Sequence, residues 1–149
     1  MNAEKFWYSW LKVTMIIVII AGIAIAFLSH TPLFESINKS INHVFFSDQL
    51  PDYATQMLQG WLLGVMGAIL TAWGITVLYL TCNAMKKKEF WAWKCIFYSL
   101  IAWFIIDTSV SIYYQAILNV FINCIFLFQI VAPLLFLRNS FKQNTQVVI

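Results

Sequence analysis

The sequence predicts an all-α integral membrane protein, a four-transmembrane-helix bundle with an extracytoplasmic interfacial helix between helices one and two. Three observations carry this expectation. Of the 149 residues, 62% are hydrophobic and 10% charged, against about a quarter charged in ordinary soluble domains. The apolar residues gather in four runs, approximately 6–28, 60–81, 90–114 and 116–137, each near the ~20 residues that cross a hydrocarbon layer. If all four cross, eight of the nine Lys and Arg residues fall on one side: Lys5, Lys12, Lys86, Lys87, Lys88, Lys94, Arg138 and Lys142. Only Lys39 lies opposite. An even number of crossings puts both termini on the crowded side, and the excess of basic residues marks that side as cytoplasmic.

The first run is apolar from Val13 to Leu28 with only Thr14 interrupting, and Lys12 can snorkel its charged tip into water. Lys5, Lys12 and Ala24-Ile25-Ala26 also give it the outline of a secretory signal. Cleavage would leave three crossings and strand the mature N-terminus outside, so an uncleaved helix is the expectation.

The outer loop, 29–59, is the one long connection. Leu33, Ile37, Ile41 and Phe45 recur at a spacing of four, with Glu35, Asn38, Lys39 and Asn42 between them. That pattern predicts a short amphipathic helix lying in the outer interface, with Pro32 suited to its first turn. Asp48 and Asp52 add to the acids expected outside, and Pro51-Asp52 marks a turn before Tyr53–Gln59 leads into the second run.

Gly60, Gly64, Gly67, Ala68, Thr71, Ala72 and Gly74 line the second run. Small residues spaced in this way let helix backbones approach closely. Packing inside the bundle is the first expectation for Gly60, Gly64, Gly67 and Gly74, and contact between two copies the alternative. Gly22 and Ala26 give the first run a matching groove.

A cytoplasmic loop, 82–89, joins the second and third runs. The third carries Lys94 near its inner end and Asp107 near its outer end, and the fourth contains Pro133. Pro133 has no N–H and therefore releases the carbonyl of Gln129. Residues 138–149 form a cytoplasmic tail. No Gly/Ser-rich or Pro-rich linker divides the chain, so residues 1–149 form a single domain. Trp7, Tyr8, Trp10, Tyr79, Trp91 and Trp93 fall at the inner boundary and Tyr53, Trp61, Tyr113 and Tyr114 at the outer, as interfacial aromatic belts do.

The chemistry concentrates in the last hairpin. With its turn centred near Gln115, residues equidistant from the turn reach the same depth, so Ser111 should face Asn119 and Asp107 should face Asn123. Side chains three or four apart share a helix face, which puts Asp107, Ser111 and Tyr114 on one stripe and Gln115, Asn119 and Asn123 on another. Gln56, Gln59 and His30 should reach a similar level. Together these residues describe an outward-facing polar pocket with Asp107 as its charged group. Hydrogen bonding that merely joins helices is the plain alternative.

Enzymatic activity is not expected. One carboxylate without a second acid, metal or nucleophile leaves general acid–base work incomplete. His30 and His43 are too loosely spaced for a metal motif, no Cys-x-x-Cys occurs among Cys82, Cys95 and Cys124, and no cofactor signature is present. The net charge of +3 comes mostly from loop lysines and does not suggest nucleic acid. The expectation is therefore a non-enzymatic binding or accessory protein whose pocket takes a lipid headgroup, a small polar ligand or a partner helix. Its partners would be membrane lipid, a second copy or another membrane protein. A small transporter or ion-conducting oligomer with Asp107 as its proton or cation site is the alternative. Richness in Ile, Phe, Lys and Asn is that of an AT-rich bacterial genome, which suggests the bacterial plasma membrane.

Overall fold

The computed structural model describes residues 3–47 and 49–142, and every regular element among them is helical. Asp48 and the tail after residue 142 lie outside the described residues. The order is α1 (Ala3–Leu28), a 3-10 turn (Pro32–Phe34), α2 (Glu35–Phe46), α3 (Tyr53–Leu80), a π-helical turn (Thr81–Met85), α4 (Phe90–Tyr113) and α5 (Ile117–Lys142). Four segments are long and apolar enough to cross a membrane: Ala3–Leu28, Tyr53–Met85, Phe90–Tyr113 and Ile117–Arg138. The end at which α1 begins and α5 finishes is called the tail end below, and the end bearing α2 the loop end.

Three helices run further than the hydrophobic pattern predicts: α1 begins at Ala3 rather than Phe6, and two others differ by more. The second apolar helix starts at Tyr53 rather than Gly60, because Asp52 is extended and its Oδ1 accepts the Thr55 amide at 3.1 Å, satisfying an N–H that the helix cannot. The hydroxyl and amide of Thr55 hold the Asp52 carboxyl below its ordinary range. α5 continues through Arg138 to Lys142, so the first residues assigned to the tail are helical. Burial of Phe141 against Phe90, with ring centroids 6.3 Å apart, holds this extension in place. The amphipathic stretch of the outer loop forms α2, none of whose residues is buried. Asn38 ties α2 back to the end of α1 by donating to the Ser29 carbonyl at 2.7 Å.

The helices pair as hairpins, α1 with α3 and α4 with α5, and α1 also packs on α5. Glycine sets the first pairing. A methyl group at Gly67 would stand 2.6 Å from the Ala26 nitrogen, and one at Gly22 would stand 2.7 Å from the Gly67 carbonyl oxygen. These are backbone atoms, which cannot swing aside. Gly60 faces the His30 ring and Gly74 the side chains of Val18 and Ile19. Gly22, Gly60, Gly67 and Gly74 are all buried.

A side-chain core fills the tail half. Leu11, Met15, Met85, Leu100, Ile130 and Leu134 are wholly inaccessible, and all belong to the tail-end halves of their helices or to the π turn. Trp7 stacks on Phe136 at 4.4 Å, joining the two hairpins. Between α3 and α4, Lys88 takes a left-handed conformation (φ 62°) that aims its ammonium at Glu4 and over the Tyr8 ring.

Gly67→Ala should lower stability by about 1–3 kcal/mol because two backbones must separate. Gly64→Ala, whose methyl would meet only the Ala26 carbonyl at 3.7 Å, should be tolerated. Thermal unfolding of the two variants in one detergent measures the difference. The Asp52 cap, present while its carboxyl is ionised, should be lost as pH falls through its depressed folded-state pKa and not above the ordinary carboxylate range. Faster amide exchange at the first turn of α3, confined to that acid window, is the expected readout.

Candidate functional site

The last hairpin turns at Tyr114–Ala116, where Gln115 adopts a left-handed conformation (φ 59°) and the Ala116 amide returns to the Ser111 carbonyl at 2.8 Å. So tight a turn sets the polar stripes of α4 and α5 face to face. Asn119 donates through Nδ2 to Asp107 Oδ1 at 3.0 Å and to Ser111 Oγ at 2.8 Å. These two bonds use both amide hydrogens. The Ser111 hydroxyl donates to the Asp107 main-chain carbonyl at 2.7 Å, with Asp107 Oδ1 at 3.2 Å. A reversed Asn119 amide would set oxygen against carboxylate, so the network itself fixes the orientation. Ser111 is 5% exposed and Asn123 2%.

Asp107 is therefore bound through one oxygen only. Oδ1 takes donors from both helices, whereas Oδ2 has no hydrogen-bond partner among the described residues, and the residue is partly exposed. The residue lies six positions before the end of α4, or about 9 Å below the loop end at 1.5 Å per residue.

Depth matching from the turn places Ser111 opposite Asn119, as in the structure, but Asp107 does not meet Asn123. Its carboxylate shares the amide of Asn119, one turn nearer the turn than equal depth would put it. Asn123 instead donates to Thr108 Oγ1 at 3.3 Å. Sequence reasoning passed over Thr108, although it stands seven residues before Gln115 and Asn123 eight after, nearly symmetric about the turn.

The other residues expected at this level are held elsewhere. Gln56 donates to the Pro51 carbonyl at 2.7 Å at the head of α3. His30 lies against Gly60, and Gln59 precedes that glycine on α3. These three belong to the α1–α3 hairpin, so the cluster around Asp107 is made by α4 and α5 alone rather than by four helices. Tyr114 and Gln115 are exposed at the turn, where the Tyr114 ring meets Phe45 of α2 at 5.9 Å.

A depression of about 440 Å³ lies away from this cluster, lined by Phe45–Ser47, Pro51, Asp52 and Thr55. Its carboxylate, Asp52, is already engaged as the cap of α3. Cys82, Cys95 and Cys124 are free thiols. Among the described residues, no three His, Cys, Asp or Glu side chains come together as metal ligands.

Asn119→Leu removes both bonds at once and leaves Asp107 Oδ1 with Ser111 alone. We expect a loss of about 1–3 kcal/mol, since a group left short of partners in an apolar setting bears the desolvation penalty. Asn123→Leu should be nearly neutral, because the Thr108 hydroxyl can return to the carbonyl one turn back. Paired melting curves decide between the two. Comparison with protein-family models, with curated proteins and with solved structures finds no match to this chain.

Proposed function

We propose that the chain is a small multi-pass membrane protein of binding or accessory type, with no enzymatic activity of its own. Its termini face the cytoplasm, and the Asp107–Ser111–Asn119 cluster holds the hydrogen-bond donor of a lipid headgroup in the outer leaflet. The membrane reading is supported by apolar side chains on the outside of the helices. Ile20, Phe27, Ile69, Phe121 and Phe128 are 61–80% exposed, and helices apolar on every side suit lipid or the interior of a large protein. The distribution of Lys and Arg supports the orientation, and composition alone suggests a bacterial plasma membrane.

One observation carries the binding reading: Oδ2 of the partly exposed Asp107 has no partner among the described residues, beside a fully committed Asn119 amide. A carboxylate placed in hydrocarbon is unfavourable by at least ~2.5 kcal/mol at a helix centre and by less near the interface. The internal donors offset part of that through Oδ1. An external N–H or O–H donor would offset more through Oδ2, and the ammonium group of an aminolipid is such a donor at headgroup level. Transport, the alternative, requires access to Asp107 from both faces. Met15, Ile96, Leu100, Ile130 and Leu134, at most 1% exposed, put a packed apolar core between the cluster and the tail end, which favours binding over transport.

Phosphatidylethanolamine has ammonium N–H groups and phosphatidylcholine has none, so the pair tests the reading directly. Native mass spectrometry from mixed nanodiscs should show severalfold preferential retention of phosphatidylethanolamine, abolished in Asp107→Asn. Equal retention of both lipids by the unaltered protein, or a preference that survives the substitution, would overturn it.

A further inference from the structure

We infer a second lipid site at the tail end, in the opposite leaflet, where Lys94 and Arg138 together bind the phosphate of an anionic phospholipid. The inference rests on the membrane reading above but not on Asp107. The two cations come from adjacent helices, each four residues from the tail end of its helix, or about 6 Å inside it. Both are exposed.

A single aromatic stack holds them. The Lys94 ammonium lies 4.9 Å from the Phe90 ring and the Arg138 guanidinium 5.7 Å from the Trp93 ring. Phe90 and Trp93 are stacked at 5.5 Å, and Trp93 continues onto Phe97 at 4.9 Å. Trp93 is itself fixed, because its indole N–H donates to the Leu134 carbonyl at 2.7 Å. Cations over aromatic faces keep their charge while losing freedom, so both heads are positioned before any ligand arrives.

The carboxylates among the described residues do not neutralise them. Of the tail-end carboxylates, Glu4 pairs with Lys88 and Glu89 accepts the Trp91 indole N–H at 2.6 Å. No carboxylate among the described residues pairs with Lys94 or Arg138. Two fixed cations without a carboxylate partner among the described residues call for an anion, and the guanidinium fork fits the paired oxygens of a phosphate.

The surroundings specify a lipid phosphate rather than a soluble one. Trp91 and Tyr98 flank Lys94 at three residues before and four after, on the same face of α4, and are 57% and 64% exposed. Such aromatic residues sit at the headgroup level with their rings against acyl chains. Lys86 and Lys87, exposed in the loop with no ring or carboxylate partner described, supply only diffuse attraction.

The test uses the full chain in phosphatidylcholine nanodiscs doped with phosphatidylglycerol, with bound lipid counted by native mass spectrometry. Lys94→Gln with Arg138→Gln should reduce retained phosphatidylglycerol roughly tenfold, because the direct charge-assisted contacts of both heads with the phosphate are lost. Lys86→Gln with Lys87→Gln should leave retention nearly unchanged. An equal loss in both double variants, or none in the first, would overturn the site. So would displacement of the lipid by inorganic phosphate. Entry of the unaltered protein into undoped discs reports the membrane reading separately, so its failure is not confused with failure of the site. If the first double variant does not enter discs, Lys94→Gln alone carries the test and should lose retention severalfold.

Discussion

Polar groups carried into the apolar length of this chain must find their partners within the chain, and most of the architecture follows from how they do so. Where no water reaches, an unsatisfied N–H or C=O is several kcal/mol unfavourable by about the scale of water-to-hydrocarbon transfer. Thr71, Thr76 and Thr81 answer this locally, each returning its hydroxyl to the carbonyl four residues back. Such residues are silent between helices. The Gln129 carbonyl cannot be answered locally, because Pro133 lacks the N–H it would accept. Trp10 of α1 donates to it at 3.1 Å, so a defect in one helix becomes a bond between two hairpins.

The two hairpins close by opposite means. At α1–α3 side chains are missing, so that Gly22 and Gly67 bring backbones together and dispersion over a long contact does the joining. At α4–α5 side chains are present and polar, and each interhelical hydrogen bond is worth only ~0.6–2 kcal/mol. The first contact is insensitive to charge and intolerant of added bulk. The second tolerates bulk but depends on the donor count around Asp107. A chain built in this way has one rigid hairpin and one whose loop-end half is held by a handful of bonds.

Much of this was legible in the sequence, and the remainder fails for identifiable reasons. Four apolar runs appear as four helices because length and hydrophobicity are local properties. The missed ends, Tyr53 instead of Gly60 and Lys142 instead of Leu137, depend on a cap and on a buried phenylalanine that hydropathy does not register. Ser111 and Asn119 were paired by depth alone, which works where a tight turn sets the register. Asp107 escaped that rule because its side chain follows the donors rather than its own level. Gathering His30, Gln56 and Gln59 into the same site required knowing which helices are neighbours, and similar depth does not supply that.

The ends of the molecule differ in how firmly they are held, and that difference bears on where chemistry can occur. At the tail end Leu11, Met85, Leu134 and Phe141 are essentially inaccessible, and the aromatic stack on α4 is braced against α5. At the loop end α2 buries no residue and reaches α4 through the Phe45–Tyr114 contact. Local opening follows burial and contact density, so motion should concentrate around the α4–α5 turn and α2. A half-satisfied carboxylate is tolerable there, where opening admits water or a donor. In the tail-end core it would lack both. The cations at the tail end follow the complementary logic, since a fixed charge is compatible with a rigid support only if its head remains outside it. Lys94 and Arg138 meet that condition by lying over the stack rather than within it.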